Sequence, residues 1–310
     1  MKPPNRTFSL ASVWVNKMAE NFTVAIASGK GGTGKTTIAV NLARFLADSA
    51  KKVRYLDCDV EEPNGHIFLK PNLVSRENVV VHVPQVNQDK CIACGECGKI
   101  CQFNAIVCVK EHVLTFEQLC HSCGGCRRVC PADAIDDKPV EIGVIETGNA
   151  GQIKFVSGKL SIGNIRTPKL ISCVKKNITG DCVTVIDVPP GTACPTVEAV
   201  KNTDYVLMVT EPTPFGLNDL KLAVEMVRLL NIPFGVLINR YGLGDDRVEE
   251  YCRDENIDVV MKLPDDRRIA EAYSEGGMIV DILPEYTGLF TRLCDYLEGV
   301  TEKHNEKRRV

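Results

Sequence analysis

Cysteine chemistry dominates the middle of this chain. Two runs stand there, Cys91-x-x-Cys94-x-x-Cys97-x-x-x-Cys101 and Cys120-x-x-Cys123-x-x-Cys126-x-x-x-Cys130-Pro131. Thiolates spaced CxxCxxC wrap one compact turn around a cubane and place three sulfurs on three irons; the fourth iron must be ligated from elsewhere. Cys91, Cys94 and Cys97 thus suit one [4Fe-4S] cluster and Cys120, Cys123 and Cys126 a second, with Cys101 and Cys130 left to supply the fourth ligands. Zinc and disulfides compete for the same residues. Structural zinc sites use paired CxxC units rather than three consecutive CxxC steps, and disulfide scaffolds are usually much shorter than 310 residues.

A second chemistry lies near the start. Gly29-Lys30-Gly31-Gly32-Thr33-Gly34-Lys35-Thr36 satisfies the phosphate-loop pattern directly after an apolar segment and before a helical one. Glycines let backbone N–H groups turn inward onto phosphate oxygens, and the helix N-terminus adds the positive end of its dipole. In such a loop Lys35 reaches the β- and γ-phosphates of ATP and the Thr36 hydroxyl ligates Mg²⁺.

The elements that must position these groups alternate. Residues 22–27 read as a buried strand, 36–47 as a helix and 53–57 as a second strand, a βαβ unit that implies a parallel sheet. A third strand is expected at 79–83. The cysteine block, about 88–137, then interrupts the alternation, and Pro84 and Pro139 suit its borders. Ala105-Ile106 and Ala134-Ile135 follow the two runs at equal offsets, which marks an internal duplication. Residues 141–147 and 152–157 suggest a hairpin. Strands at 183–187, 205–210, 234–239 and 259–263, and helices at 217–230 and 287–299, restore the α/β pattern. The expected fold is thus a mostly parallel P-loop NTPase sheet flanked by helices, carrying a small inserted α+β module. Its parts are a flexible extension (1–19), the nucleotide domain (20–84 and 140–300), the insert (85–139) and a charged tail (301–310).

Hydrophobic content of 44% and charged content of 25% are ordinary for a globular chain. A net charge of −3 gives no general pull toward nucleic acid or anionic membrane. No export signal is evident, and no apolar run approaches the ~18 residues that span a bilayer. The expected setting is a reducing cytoplasm.

Both cysteine runs resemble those of bacterial two-cluster ferredoxins, in which the fourth cysteine of each run crosses to the other cluster; the resemblance implies Cys91, Cys94, Cys97 and Cys130 on one cluster and Cys101, Cys120, Cys123 and Cys126 on the other. One departure is Gln102 after Cys101, where proline is usual. The phosphate loop departs as well: Lys30 is an extra lysine, and G-K-G-G-x-G-K-T-T resembles the deviant Walker A of the MinD/ParA/Mrp superfamily, over roughly residues 20–83 and 141–300. The resemblance implies an ATP-dependent dimer, with itself or with a paralogue, in which Lys30 reaches the partner's nucleotide. It implies catalytic roles for Lys30, Lys35 and Asp59, with Asp59 orienting the attacking water. Gly29, Gly31, Gly32, Thr33, Gly34, Thr36, Thr37 and Asn64 would contact the nucleotide, with Asn239-Arg240 and Pro264-Asp265 near its purine. Thr36, Asp57 and Asp187 would serve Mg²⁺. A C-terminal CxxC pair, which Mrp-type carriers use for a bridging cluster, is not present after residue 130.

Taken together the chain resembles a MinD-superfamily ATPase with an inserted 2[4Fe-4S] ferredoxin module. That implies ATP hydrolysis coupled to electron transfer, or to metallocofactor assembly, on a partner protein. The alternative is a positioning or partitioning ATPase with redox-sensing clusters. Residues 301–310 show no apolar face, which argues against MinD-like membrane binding. Of the other seven cysteines, Cys108, Cys173, Cys182, Cys252 and Cys294 suit buried positions. Cys58 and Cys194 could approach a dimer interface, and a shared metal at Cys194 is a hypothesis that metal content in Cys194→Ala would test.

Overall fold

The computed structural model describes residues 21–49 and 51–309, with side chains to residue 302; the N-terminal extension lies outside the described residues. In chain order the elements begin β1 (Thr23–Ala27), α1 (Lys35–Asp48), β2 (Val53–Asp57), α2 (Gly65–Leu69) and β3 (Asn72–Val86). Then come α3 (Glu96–Ile100), β4 (Ile106–Val109), β5 (His112–Thr115), α4 (Gly125–Arg128), β6 (Ile135–Ala150), β7 (Ile153–Leu160) and α5 (Thr167–Lys175). The remainder is β8 (Val183–Asp187), α6 (Cys194–Val200), β9 (Tyr205–Thr210), α7 (Pro214–Leu229), β10 (Phe234–Tyr241), α8 (Arg247–Asp254), β11 (Val259–Pro264), α9 (Arg267–Ser274), α10 (Ile279–Ile282) and α11 (Thr287–Arg309).

Among the described residues one sheet has the order β11-β10-β9-β1-β8-β2-β7-β6-β3. The strands from β11 to β7 are mutually parallel, and β6 and β3 are added antiparallel, each to its neighbour. β1, β2, β8 and β9 are buried at every position, which explains their mostly apolar sequence; a sheet covered on both faces needs no polar alternation. Val24, Ile26, Tyr55 and Leu207 face α1 and α11, where Phe290 and Leu293 are fully buried. Ala25, Leu56, Ile186 and Val206 face α5 and α7. At about 1.5–3 kcal/mol per large apolar side chain, these two layers dominate the fold's stability.

The interruption has a different form from the expected one. β3 and β6 pair as an antiparallel ribbon from Asn72↔Asn149 to Val86↔Ile135, so Pro84 and Pro139 lie inside strands, opposite Asp137 and His82. Only the Gly143–Ala150 part of β6 also pairs with β7. The outer ribbon therefore has free edges, where proline removes no needed hydrogen bond. The cysteine segment, residues 87–134, hangs from this stalk. The mostly polar and exposed residues 72–78 concealed the length of β3 from an apolar-run reading. At the other end α11 continues to Arg309, through residues expected as a charged tail. Among the described residues no helix is long and apolar enough to cross a membrane.

Candidate functional site

Strands β1, β2, β8, β10 and β11 end on one edge of the sheet, the side where parallel α/β sheets place ligands. There a cleft of about 360 Å³ opens between the β1–α1 loop, the 57–64 segment, Pro190, the β10 end and α9. Gly31, Gly32, Gly34, Lys35, Thr36, Thr37, Asp59, Asn64, Asn239, Arg240, Pro264 and Asp265 all line it. The loop's shape depends on two glycines. Gly34 has φ +92°, and a Cβ there would sit 2.4 Å from Asn239 Nδ2; a Cβ on Gly29 would sit 2.2 Å from the Asp219 carbonyl oxygen.

Two carboxylates lie under the cleft. Asp57 and Asp187 are register partners on β2 and β8, and both are fully buried. Asp57 Oδ2 accepts from the Gly65 N–H (2.9 Å) and Oδ1 from the Asp59 N–H (3.3 Å). The Tyr55 hydroxyl donates to Asp187 Oδ2 (3.0 Å), while Asp187 Oδ1 is buried without a partner. Burial and then the neighbouring Asp187 push the Asp57 carboxyl well up. Burial also raises Asp187, against the pull of the Thr36 hydroxyl and Lys35. Asp59, at the cleft wall, is pushed up to about 6 by burial and by Asp187. Burial lowers the Lys35 ammonium, opposed by Asp187 and Asp59. An orphaned carboxylate oxygen among acids whose charged forms are all disfavoured suits a divalent cation, which reverses that penalty.

Not every expected residue faces the cleft. Lys30 turns away to Glu211 (3.2 Å), and Glu211 also meets Arg240 (3.0 Å). Asn239 lines the cleft, but its Nδ2 donates to the Thr33 carbonyl (2.8 Å) and its Oδ1 accepts from the Arg240 N–H (2.9 Å). Asn64 Oδ1 and Thr33 Oγ1 are buried without partners. Cys58 is fully buried, which corrects its expected approach to an interface; Cys194 is exposed at the start of α6. Sequence reasoning missed Glu62, Ile269, Ala270 and Tyr273 on the cleft wall. It also missed Glu211, whose signal was an acid directly after the largely apolar β9. A second groove of about 400 Å³ contains Arg44 and Asp281, but these pair with one another at 3.2 Å.

In the insert the duplication is structural, at a constant offset. Ala93 and Ser122 have φ +53° and +55°, Gly95 and Gly124 +77° and +70°, Asn104 and Asp133 +51° and +45°. The Ala105 N–H donates to Cys101 Sγ, and the Ala134 N–H to Cys130 Sγ, each at 3.3 Å. Cys91, Cys94, Cys97 and Cys130 line one cavity; Cys101, Cys120, Cys123 and Cys126 line another. The two runs therefore exchange their fourth cysteines. Among the described residues no three His, Cys, Asp or Glu side chains converge on a single ion. The cavities are small, about 20 and 70 Å³, so the fit to an iron–sulfur cluster rests on the donor set: four cysteine sulfurs per cavity, with N–H groups already aimed at sulfur. Phe103 and His121 stack at 3.7 Å beside the second set.

A protein-family profile described as "CobQ/CobB/MinD/ParA nucleotide binding domain" matches residues 24–279. An uncharacterized protein of Methanocaldococcus jannaschii is 33% identical over 262 residues, 84% of this chain and 91% of that protein. An iron–sulfur cluster carrier protein of Aquifex aeolicus is 27% identical over 296 residues, 90% of this chain and 68% of that protein. Among solved structures, the cell division ATPase MinD of Pyrococcus furiosus superposes with a TM-score of 0.58 at 21% identity, covering 90% of this chain and 99% of MinD.

Proposed function

This chain belongs to the CobQ/CobB/MinD/ParA nucleotide-binding family and is a P-loop ATPase of the MinD/ParA kind; from that premise we propose that it couples a nucleotide-driven dimer switch to iron–sulfur chemistry on a partner protein. The observation that carries the proposal is the pair of four-cysteine cavities, each lined by three cysteines of one run and the fourth of the other, on a stalk that leaves the sheet between the Asp57–Asn64 segment and Asp187. The similarity to a cluster carrier protein supports an iron–sulfur role. In this proposal the insert is a ferredoxin-type module with two [4Fe-4S] clusters, which supply one-electron transfer.

The chain's own residues do the rest. The β1–α1 loop cradles the phosphates of ATP with backbone N–H groups, and Lys35 neutralises the β- and γ-oxygens. Thr36 and Asp187 hold the Mg²⁺, with Asp57 behind them. Asp59 orients water at the γ-phosphate and takes its proton. On dimerisation Lys30 leaves Glu211 and reaches the partner's nucleotide. Asn239, Arg240, Pro264 and Asp265 border the purine, with Tyr273 on the same wall.

Anaerobic purification tests the proposal. It expects about eight irons and eight sulfides per chain, half that in Cys130→Ser, and Mg²⁺-dependent ATP hydrolysis. Iron-free protein from strictly anaerobic cells would remove the cluster half and leave the ATPase. Lys30→Ala should lose ATP-dependent dimerisation, read by light scattering; a retained dimer contradicts the role given to Lys30.

A further inference from the structure

Arg166, directly before α5, is only 5% exposed. Its Nε donates to the Cys120 carbonyl (2.7 Å), Nη2 to the Glu117 carbonyl, and Nη1 to Asn164 Oδ1 (3.5 Å). Glu117 and Cys120 are in the insert, and Cys120 is in the second cysteine set. Among the described residues Arg166 has no carboxylate partner. A buried cation is costly unless an anion compensates it, and a four-thiolate cluster is anionic. Adjacent Thr167 is 4% exposed, and its hydroxyl donates to Glu61 Oε1 (2.8 Å). Glu61 lies between Asp59 and Glu62, both on the wall of the nucleotide cleft. At the far end of α5 the Lys175 ammonium donates to the carbonyls of Glu198 (3.0 Å), Ala199 (2.8 Å) and Lys201 (2.6 Å), closing the C-terminal end of α6. One nine-residue helix, together with Arg166 at its N-cap, thus touches the insert, the Asp59 segment and the element that follows Asp187.

We propose that Arg166 is a positioning residue that holds the Cys120 loop to the ATPase body and, through Thr167 and Glu61, makes the surroundings of the second cysteine set follow the state of the nucleotide cleft. The proposal rests on the reading that this set holds a cluster. The physical chain is short. When nucleotide moves the Asp59 segment, the Glu61–Thr167 bond transmits the displacement to the next residue, Arg166. Two of that guanidinium's N–H groups are already committed to the carbonyls of the loop. A change in its position alters both the loop's packing and the positive field beside the thiolates, and either change alters a cluster's reduction potential.

The test uses the full chain, purified anaerobically, with a non-hydrolysable Mg²⁺–ATP analogue or with Mg²⁺–ADP. Hydrogen–deuterium exchange over residues 117–123 should differ between the two nucleotides. Thr167→Val, similar in shape but without the hydroxyl donor, should lose that difference while still hydrolysing ATP. Arg166→Lys keeps the charge but not the fork; it should speed exchange over residues 117–123 in both nucleotide states. In potentiometric titration Arg166→Gln should lower the potential of one cluster and leave the other, since removing a cation disfavours the more negative reduced state. A full nucleotide response in Thr167→Val overturns the link. Wild-type exchange in Arg166→Lys together with unshifted potentials in Arg166→Gln overturns the positioning role. Iron-free protein would end the cluster reading, and the exchange arms would still decide the link.

Discussion

The nucleotide cleft and the cysteine insert are held together by different means. The cleft is built on strand ends whose neighbours are fully buried, between two apolar layers that draw on β1, β2, β8 and β9. The main core of the insert has four buried residues, Cys97, Ile106, Val113 and Ile135, and one of those is itself a ligand candidate. Ile92, Ile100, Phe103 and Leu119 remain exposed around it. The difference teaches that the cleft is preformed by packing, whereas the insert has little core of its own; under the proposed function it depends on its clusters, since a module this small gains much of its folding free energy from a ligated group.

The largest expected effect follows from that contrast. Stripping iron with a chelator under denaturant-free conditions should abolish amide protection across residues 91–130 and leave β1, β2, β8 and β9 protected and ATP bound. Collapse of both regions together would erase the distinction. Next, Lys35→Ala should lower ATP turnover by about 10²–10³-fold, the loss typical of one electrostatic donor, with iron content unchanged.

Asp59 provides a pH test within the cleft. Burial and Asp187 push its carboxyl up to about 6 from an ordinary 3.8, so under the proposed role the water-orienting carboxylate is lost as pH falls through 6. kcat/KM for ATP should decline on that acid limb, and Asp59→Asn should show a low rate without it. The raised pKa also means that ionising Asp59 weakens the native state as pH rises from about 4 to 6. Asp59→Asn should therefore stabilise the nucleotide-free protein more at pH 7 than at pH 4, by thermal melting.

Smaller still is Gly34→Ala. The residue is left-handed and its Cβ would press on Asn239, so a loss of about 1–3 kcal/mol in stability, with weaker ATP binding and unaltered iron, is expected in denaturant titration. Smallest is Gln102→Pro. Gln102 is exposed and begins the turn that Phe103 and Asn104 complete; both clusters should be retained, with a shift in potential at one only.

The cleft was largely legible because its signals are local. Glycines, an apolar strand and a helix start within a few residues identify the loop, and acids at strand ends identify Asp57, Asp59 and Asp187. The grouping of the cysteines around two cavities was legible for a related reason, since spacing separates three cysteines of each run from the fourth and the resemblance to two-cluster ferredoxins supplies the exchange. Arg166 carried no such signal: its partner Cys120 is 46 residues away, and an isolated arginine before a Thr-Pro helix start suggests only a surface turn. Lys30 shows the converse limit. Its type and position were evident, but its partner Glu211 is brought near by β9, and only the folded sheet reveals that pairing. The stalk was hidden because β3 and β6 are long, partly exposed and polar, and their two prolines imitate domain borders.

Linkage makes the central claim testable from either side: if nucleotide alters the clusters, cluster oxidation state must alter nucleotide affinity by the same factor. The decisive measurement is the binding isotherm of a non-hydrolysable Mg²⁺–ATP analogue to anaerobic protein with its clusters fully oxidised and fully reduced. A coupled ATPase binds the analogue with different affinities in the two states. Superimposable isotherms would contradict the coupling and leave an ATPase that merely carries an iron–sulfur module.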